Sequence, residues 1–479
     1  MRCFAKPPFN ITDLAKKYRN IRDNPERHPV SDALFVSLCI IYGQITTPGC
    51  KNPLLLPVFV MDGCTRARPG SPEPRGKAYC GTPYYLSIEP DNSKKISIGE
   101  PAMPICVGIP KEITEGERRV AIVPAVAEKY TKKGYKVILQ KDAGAQSFFS
   151  DGDYDDISYV DSAREVFEQA DVILKVQPPT VEEIDLMREG SIVIGIMQPH
   201  RYPERVAKMR DRKISSIAME LVPRISRAQS MDVLSSQASV AGYKAVLMGA
   251  DLCSQFFPML TTAAGTIRPA RVLIIGAGVS GLQAIATARR LGAIVEAYDV
   301  RAVTKEQVQS LGAKFLQLDV NAESSGGYAR ELTEAEKHKE RDMLADHVAH
   351  ANVVISTAAI PGRKAPRLID RNMVERMHPG AVIVDLAAES GGNCEVTEPG
   401  KTITHHGVIV HGPVNVPSML SVHASEMYAR NLMNLLELMV ADGELKPDWD
   451  DEILAGSSLT RDGQILHEPT RTLVEGGQS

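Results

Sequence analysis

The stretch that decides the fold runs from Arg271 to Asp299 and reads RVLIIGAGVSGLQAIATARRLGAIVEAYD. Its first part, VLII, is a short apolar run typical of a buried strand, and GAGVSG is a glycine-rich turn. LQAIATARRLG has the apolar spacing of a helix that ends at Gly292, and AIVEAYD is a second strand. This order of elements predicts one unit of a parallel α/β sheet.

The three glycines of the turn have the spacing of a dinucleotide-binding site. Gly276 permits the tight turn, and Gly278 lets the backbone approach a pyrophosphate. Gly281 allows the helix to pack closely on its strand, while the N–H groups of the first helical turn, beginning at Val279, face the anion. Because the spacing alone is weak evidence, the prediction depends on the strand before the turn and the helix after it.

Asp299 ends the second strand, where a carboxylate would accept hydrogen bonds from the adenosine ribose. Its charge would disfavour a 2′-phosphate about 5 Å away by roughly 3 kcal/mol at an effective dielectric constant near 20, so the sequence predicts NAD rather than NADP. We expect Val300 and Arg301 to line the same pocket. Arg301 either offsets part of this charge or is an ordinary surface cation.

The rest of the chain predicts two α/β domains. Strand-like runs KFLQLD, NVVIST, AVIVDL and GVIVHG extend the sheet to six strands in a doubly wound NAD-binding domain, residues 236–417. Thr357 ends NVVIST and Ala358 follows it, and both are candidates for the ribose and nicotinamide pockets, although turn chemistry explains them as well. Similar alternation over 105–235 predicts a first, related Rossmann-like domain, completed by residues 418–479 through a final helix.

Bulk properties exclude several classes of protein. The 479 residues are 43% hydrophobic and 24% charged, as in a soluble globular protein, and the net charge of −4 argues against a nucleic-acid partner. The longest apolar runs are well short of the ~20 residues that span hydrocarbon. Residues 1–104 have no sustained periodicity and are predicted to be an N-terminal extension, either disordered or targeting.

The segment PRISRAQSMD, residues 223–232, has charged and amide side chains but no His, Lys, Cys or Tyr. Oxidising an alcohol or amine requires a group that moves a proton, whereas hydride transfer between two nicotinamides requires only positioning. Gln229 can hydrogen-bond a carboxamide or ribose, and Arg224 and Asp232 can pair to hold the loop. An ordinary surface loop with an incidental ion pair is the alternative.

Several long blocks resemble one known family in order and spacing. PRISRAQSMDVLSSQASVAGYKAV, AAGTIRPARVLIIGAGVSGLQAIATARRLGA, YDVRAVTKEQVQSLGAKF and DLAAESGGN are similar to domain I, the NAD(H)-binding part, of the alpha subunit of proton-translocating NAD(P) transhydrogenases. The resemblance covers about residues 105–465 and implies that Arg224, Gln229, Asp232 and Ser235 lie at the nicotinamide end of NAD(H). SSGGYAR resembles the family's mobile loop, whose tyrosine, here Tyr328, closes over bound nucleotide.

The resemblance also implies partners that this chain does not contain. In the family, a transmembrane domain conducts protons and a third domain binds NADP(H), the second substrate. The chain is therefore expected to be a homodimeric component on the soluble face of a membrane complex, in an organelle's inner membrane such as the mitochondrial one or at the bacterial cytoplasmic face.

Two other functions are weighed against transhydrogenation. Alanine dehydrogenase has the same fold, and Arg119 resembles its substrate-binding arginine, as Lys175 resembles a lysine of its LKV strand. However, Gln177 replaces the family's next lysine, and His200 lies in a different local pattern, so the expected carboxylate-binding and proton-accepting pair is missing. A non-catalytic NAD-binding module is the second alternative.

No metal site is expected. His405, His406 and His411 in HHGVIVH have no carboxylate or cysteine at ligand spacing in the sequence, which favours a strand edge. Trp449 and the acidic residues around it are expected to be part of the C-terminal tail.

Overall fold

The computed structural model describes residues 104–317, 333–359, 362 and 364–476, together with the backbone of three strands before them. The chain divides into two units, residues 1–103 and 104–479. In the first unit, β1 (Leu54–Val60), β2 (Thr82–Ile88) and β3 (Ser97–Ile98) form an antiparallel sheet in the order β1-β2-β3. Sequence periodicity did not predict these strands, because LLLPVFV and TPYYLSI have no regular alternation of apolar and polar residues.

The second unit contains two lobes, each built on one sheet. The first lobe comprises β4 (Cys106–Ile109), α1 (Pro124–Lys132), β5 (Lys136–Gln140), β6 (Ser158–Val160), α2 (Ala163–Gln169), β7 (Val172–Leu174), α3 (Val181–Leu186), β8 (Ile192–Gly195), α4 (Pro203–Asp211) and β9 (Ser215–Ala218). Strands β4 to β9 pair with one another in parallel. Strands β7 and β8 are buried at every position, as expected of a parallel sheet covered on both faces.

The second lobe contains the predicted doubly wound sheet. Its elements are β12 (Arg271–Ile275), α6 (Val279–Arg290), β13 (Ile294–Tyr298), α7 (Thr304–Ser310), β14 (Lys314–Leu316), α8 (Glu334–His350), β15 (Val353–Ser356), α9 (Arg371–Glu375), β16 (Val382–Asp385), β17 (Thr402–His405) and β18 (Val408–His411). The strand order is β14-β13-β12-β15-β16-β18-β17. All six predicted strands are parallel, and β17 adds an antiparallel edge strand. The order reverses between β12 and β15, where such sheets bind ligands.

A single long helix, α5 (Val233–Leu252), belongs to both lobes. Val233 lies in the hydrophobic core of the first lobe, whereas Ala245 and Val246 lie in that of the second. Gly242 is required where α5 crosses the start of α6, because a β-carbon there would come within 2.0 Å of the Ser280 carbonyl oxygen. The helix begins at Val233, directly after Asp232, which caps it.

The C-terminal segment returns to the first lobe. Helix α10 (Ser421–Glu437) buries Tyr428 and Leu432 in the first core. The remaining elements are β19 (Val440–Ala441), β20 (Glu444–Leu445), α11 (Glu452–Ser457), β21 (Ser458–Arg461), β22 (Gln464–Ile465) and α12 (Glu468–Glu475). Strands β21 and β22 extend the first sheet to the order β22-β21-β9-β8-β7-β4-β5-β6.

Two further features of this unit bear on what surrounds the chain. A hairpin of β10 (Leu260–Thr262) and β11 (Gly265–Ile267) is exposed at every position, and Met259 beside it is 65% exposed. Among the described residues, no helix combines the length and the apolar composition that crossing a bilayer requires.

Candidate functional site

The glycine turn between β12 and α6 has the geometry of an anion cradle. Gly276 has a φ of +95°, in the left-handed region, and a β-carbon there would lie 2.7 Å from the Thr357 hydroxyl. At Gly281 a β-carbon would lie 1.8 Å from the Gly276 carbonyl oxygen. Both positions therefore require glycine for the turn itself.

Gly278 differs from the other two glycines because the space beside it is open. The atom nearest to a β-carbon built there is a guanidinium nitrogen of Arg301, 4.0 Å away. Gly278 is the N-cap of α6, and no side chain accepts a hydrogen bond from the first N–H groups of this helix. Val279, the first helical residue, is 42% exposed. These features suit a pyrophosphate at the helix N-terminus.

Asp299 joins the second strand to this turn. One carboxylate oxygen accepts a hydrogen bond from the Ala277 amide at 2.7 Å, and both oxygens accept hydrogen bonds from the Arg301 guanidinium at 2.8–2.9 Å. Asp299 is 9% exposed and the Arg301 side chain 20% exposed, so the pair is largely buried. Of the two interpretations of Arg301, the structure favours partial neutralisation of Asp299 over a solvated surface cation.

The loops after β15 and β16 complete this edge of the second sheet. The Thr357 hydroxyl donates to the Gly276 carbonyl oxygen at 3.0 Å, which ties the two loops together. Ala358 exchanges backbone hydrogen bonds with the side-chain amide of Asn393, at 3.1 and 2.8 Å. Val300 is partly buried against the core on one face of the sheet. The predicted residues of this lobe therefore occupy neighbouring positions at the carboxyl edge.

The direction of α5 carries the segment 223–232 beyond this edge. Gly249 packs against Val353 at the amino end of β15, and Gly242 packs against the start of α6 at the carboxyl edge. Asp232 lies ten residues earlier, which is about 15 Å further along the helix axis. Residues 226–231 form a 3₁₀ helix that leads into α5. The segment thus lies on the side of the sheet to which a bound dinucleotide would extend.

Within this segment, Asp232 and Ser235 form the helix cap. The carboxylate of Asp232 accepts hydrogen bonds from the Ser235 amide at 2.9 Å and from its hydroxyl at 2.6 Å. Arg224 and Gln229 are exposed. In the described part of the chain, no hydrogen bond engages the side-chain amide of Gln229. Tyr328 lies outside the described residues.

The corresponding edge of the first lobe is filled by side chains that bind one another. Arg119 is 4% exposed and donates to both oxygens of Glu117, at 2.8 and 2.6 Å. It also donates to the Gln237 side chain at 2.9 Å and to the Asn415 side chain at 3.2 Å. Gln177, at the end of β7, donates to Glu117 at 2.7 Å. The arginine that resembles a substrate-binding residue is therefore already paired.

The ionisation of Glu117 follows from these contacts. Burial disfavours the carboxylate, but hydrogen bonds from Arg119 and its positive charge outweigh burial and lower the pKa of Glu117 to about 2. Glu117 is thus a structural anion at neutral pH, held by Arg119.

Lys175 is committed to structure in the same way. It is 1% exposed, and its Nζ lies 2.9 Å from Glu183 and 3.4 Å from Glu112. Burial disfavours the ammonium form, yet the two carboxylates outweigh burial and raise the pKa of Lys175. A charged, buried lysine between two glutamates cannot act as a base on a substrate. His200 is exposed and lies beside Gly362 of the second lobe.

Two regions discounted from the sequence have a defined structure. The predicted strand edge is confirmed for His405 and His411, which lie on the last two strands of the second sheet, and the Oε1 atom of Glu375 approaches both His405 and His406. The signal was absent from local spacing, because α9 brings Glu375 from 30 residues away. Trp449 is not tail: it packs against the first core, with the Arg461 guanidinium 5.1 Å from its ring centroid.

Comparison with family models gives matches over most of the second unit. Residues 108–241 match the N-terminal domain of the alanine dehydrogenase/PNT family, and residues 245–468 match its C-terminal domain.

Individual relatives include both transhydrogenase subunits and alanine dehydrogenases. The NAD(P) transhydrogenase subunit alpha of Haemophilus influenzae is 44% identical over 366 residues, which cover 75% of this chain and 71% of the relative. Alanine dehydrogenase of Methanococcus maripaludis is 31% identical over 326 residues, which cover 66% of this chain and 82% of the relative.

The solved structures that match also include a transhydrogenase and an alanine dehydrogenase. A transhydrogenase from Sinorhizobium meliloti matches with a TM-score of 0.67 at 42% identity, over 76% of this chain and 99% of that one. An L-alanine dehydrogenase matches with a TM-score of 0.66 at 25% identity, over 78% of this chain and 100% of that one.

Proposed function

Because the chain belongs to the alanine dehydrogenase/PNT family, we propose that it is the NAD(H)-binding component of an NAD(P) transhydrogenase. It transfers hydride between NADH and NADP⁺ and is catalytically complete only with an NADP-binding domain and a transmembrane domain that couples transfer to proton translocation. One observation carries the proposal: the glycine turn of the second lobe is open, whereas Arg119, Glu117 and Lys175 at the corresponding edge of the first lobe are already paired.

The chemistry makes few demands on side chains. Hydride moves with its electron pair from C4 of a dihydronicotinamide to C4 of an oxidised nicotinamide, so one ring is oxidised, the other is reduced, and no proton is exchanged with the protein. The chain's task is to hold one ring in position. The exposed amide of Gln229 is suited to hydrogen-bond the carboxamide or ribose of NAD(H), and Asp232, locked to Ser235, fixes the loop that carries it. Arg224 and Tyr328 are assigned to the same end.

The nucleotide preference is for NAD(H) over NADP(H). A 2′-phosphate beside Asp299 would meet a carboxylate that is 9% exposed and hence poorly screened by water. The ion pair with Arg301 offsets part of this repulsion. NADP(H) therefore binds to a partner domain, which brings its nicotinamide to the nicotinamide end of bound NAD(H).

The same site is poorly suited to alanine. An amino-acid dehydrogenase requires a cation for the substrate carboxylate and a base for the proton. Here the guanidinium of Arg119 already donates hydrogen bonds to Glu117, Gln237 and Asn415, and Gln177 donates one to Glu117.

The surroundings of the chain are also proposed. The exposed hairpin of β10 and β11, with Leu260 and Ile267 at 37% and 43% exposure, suits contact with a second copy of the chain. The membrane partner would hold the dimer on the soluble side of a bilayer. Sedimentation of the purified chain would give a dimer, and Ile267→Asp together with Leu260→Asp would give a monomer.

One assay separates the three candidate functions. The purified chain is mixed with NADH and an NADP-binding partner domain loaded with thio-NADP⁺, whose reduced form absorbs at a longer wavelength than NADH. Reduction of thio-NADP⁺ supports transhydrogenation. Reduction of NAD⁺ by L-alanine, without the partner, would instead indicate an amino-acid dehydrogenase, and NADH binding with neither reaction would indicate a binding module.

Gln229→Asn tests the role of the loop in that assay. Shortening the side chain by one methylene displaces its amide from the ring, so we expect transfer to slow by about tenfold, or 1.4 kcal/mol, with NADH affinity nearly unchanged. Gln309→Asn, an exposed glutamine on α7, is the control. A normal rate in Gln229→Asn would remove this residue from the site.

A further inference from the structure

Three potential metal ligands converge on the side of the second lobe away from the glycine turn. Glu375 is the last residue of α9, His405 ends β17, and His406 follows in the turn to β18. Among the residues that the structure describes, this is the only group of three His, Cys, Asp or Glu whose donor atoms lie close enough to share a metal ion. We refer to it as the Glu375/His405/His406 cluster.

The distances within the cluster suit a tetrahedral ion. The Oε1 atom of Glu375 lies 3.1 Å from Nε2 of His405 and 3.8 Å from Nε2 of His406, and all donor atoms lie within 4.8 Å of one another. A tetrahedral Zn²⁺ with bonds of about 2.0–2.1 Å separates its ligand atoms by about 3.3 Å. An ion could therefore enter between the three atoms with small rotations of the side chains.

The backbone explains how two adjacent histidines reach one carboxylate. Neighbouring residues in a strand point to opposite faces of the sheet, so His405 and His406 would normally diverge. In this turn His406 has a φ of +49° and Gly407 a φ of +80°, and the ring centroids lie only 5.1 Å apart. The Gly407 carbonyl oxygen accepts a hydrogen bond from the Gly380 amide at 2.8 Å, which holds the turn near the end of α9.

A simple ion pair does not require this arrangement. One histidine on Glu375 would satisfy such a contact, yet both imidazoles approach the same carboxylate oxygen. The His405 and Glu375 side chains are 20% and 31% exposed and that of His406 is 62% exposed, so the cluster is open to solvent on the His406 side. Two imidazoles and one carboxylate form a ligand set that catalytic zinc proteins use, with a further position left for water.

We propose that the Glu375/His405/His406 cluster binds a transition-metal cation, for which Zn²⁺ is the matching ion. The turn precedes β18, which is parallel to β16, so the site lies at the amino ends of the strands, opposite the nucleotide edge. The ion joins α9 to the β17–β18 hairpin and stabilises the outer edge of the second sheet. Magnesium is a poor match, because it prefers oxygen ligands in octahedral geometry.

Calorimetric titration of the full chain with ZnCl₂ tests the site. Because the chain contains eight cysteines that could bind zinc elsewhere, the measured quantity is the difference between the parent and single variants. His405→Ala and Glu375→Gln should each bind one equivalent fewer than the parent, with affinity at the cluster reduced by more than about a hundredfold, since even residues that only orient metal ligands contribute up to that much. MgCl₂ should give no such difference.

The matched control is His338→Ala. His338 is exposed and contacts a single carboxylate, Asp342, at 3.0 Å, so it forms the pair without the third ligand. This variant should bind as much zinc as the parent. Equal zinc binding by the parent, His405→Ala and Glu375→Gln would overturn the proposal.

Thermal unfolding gives an independent measurement. Zinc should raise the Tm of the parent and of His338→Ala but not that of His405→Ala or Glu375→Gln, because only a folded chain brings the three ligands together. Each variant is compared with itself in EDTA, so that any loss of stability from the substitution does not enter the comparison. The same zinc-dependent rise in all four proteins would contradict the site.

Discussion

The two lobes present the same edge, the carboxyl ends of parallel strands, in opposite states. In the first lobe, Arg119, Glu117 and Lys175 are buried and bind other side chains of the protein. In the second lobe, Gly278 leaves an uncapped helix N-terminus open to solvent. Charged residues at the end of a strand therefore do not by themselves make a binding site. At the open edge, the groups available to a ligand are backbone N–H groups at the start of α6.

Breaking the buried ion pairs at the edge of the first lobe should have the largest effect on stability. Lys175→Met leaves Glu112 and Glu183 buried without a counter-charge, which should lower the free energy of unfolding by about 3–5 kcal/mol. Urea denaturation measures this quantity. Lys208→Met, which removes a more exposed pair with Asp185, is the control and should cost no more than about 1 kcal/mol. Similar losses in both variants would mean that the buried pair has no special role.

Acid is expected to act on the paired edge, because burial there is outweighed by Arg119 and the pKa of Glu117 is strongly lowered. The pKa of Glu117 falls from 4.5 to about 2 on folding, so its contribution is complete above pH 4.5 and is lost as the pH falls from 4.5 to 2. Glu117→Gln should therefore lose about 2 kcal/mol less stability than the parent between pH 5 and pH 3. Denaturation at both pH values measures the difference. The exposed Glu115→Gln should behave as the parent, and an identical acid response in Glu117→Gln would refute this account.

At the open edge, charge is expected to control nucleotide choice. Asp299→Asn removes the repulsion of a 2′-phosphate and releases Arg301, so the ratio of NADPH to NADH affinity should rise by up to about a hundredfold, equivalent to roughly 3 kcal/mol. Titration with each nucleotide measures the ratio. Glu296→Gln, on the same strand but bound to Lys314 and His347, should leave it unchanged. A constant ratio in Asp299→Asn would show that this carboxylate does not face the ribose.

Filling the open space beside Gly278 should have the smallest effect. Gly278→Ala adds a methyl group with no protein atom nearer than 4.0 Å, so the urea midpoint should hardly change. NADH affinity should nevertheless fall by about tenfold, because the methyl group occupies the path of the pyrophosphate. Gly152→Ala, where the nearest atom is 3.9 Å away, should alter neither quantity. Unchanged affinity in Gly278→Ala would place the nucleotide elsewhere.

The difference between the edges also marks what the sequence could predict. The glycine turn, α6 and β13 lie within one continuous stretch, and local spacing was sufficient to identify them. The helix end at Gly292 was predicted from the same stretch, and the positive φ of this residue agrees with it.

Contacts between distant segments could not be predicted in this way. Arg119 meets Asn415, 296 positions away, and Ser216 on β9 meets Thr460 on β21, 244 positions away. The periodicity of one segment does not specify which distant segment it contacts. The pairing of the side chains at the edge of the first lobe could therefore not be predicted from the sequence. Glu375 escaped notice beside His405 for the same reason.

The return of the C-terminus to the first lobe has a consequence for synthesis on the ribosome. All strands of the second sheet lie between residues 271 and 411, so that lobe can form as soon as this part has emerged. The first sheet lacks β21, and the first core lacks Tyr428 and Leu432, until residues 428–461 have been translated. The first lobe, whose synthesis begins first, is therefore completed after the second lobe. Between the synthesis of β9 and that of β21, the unpaired edge of β9 is the surface for which a chaperone is most needed.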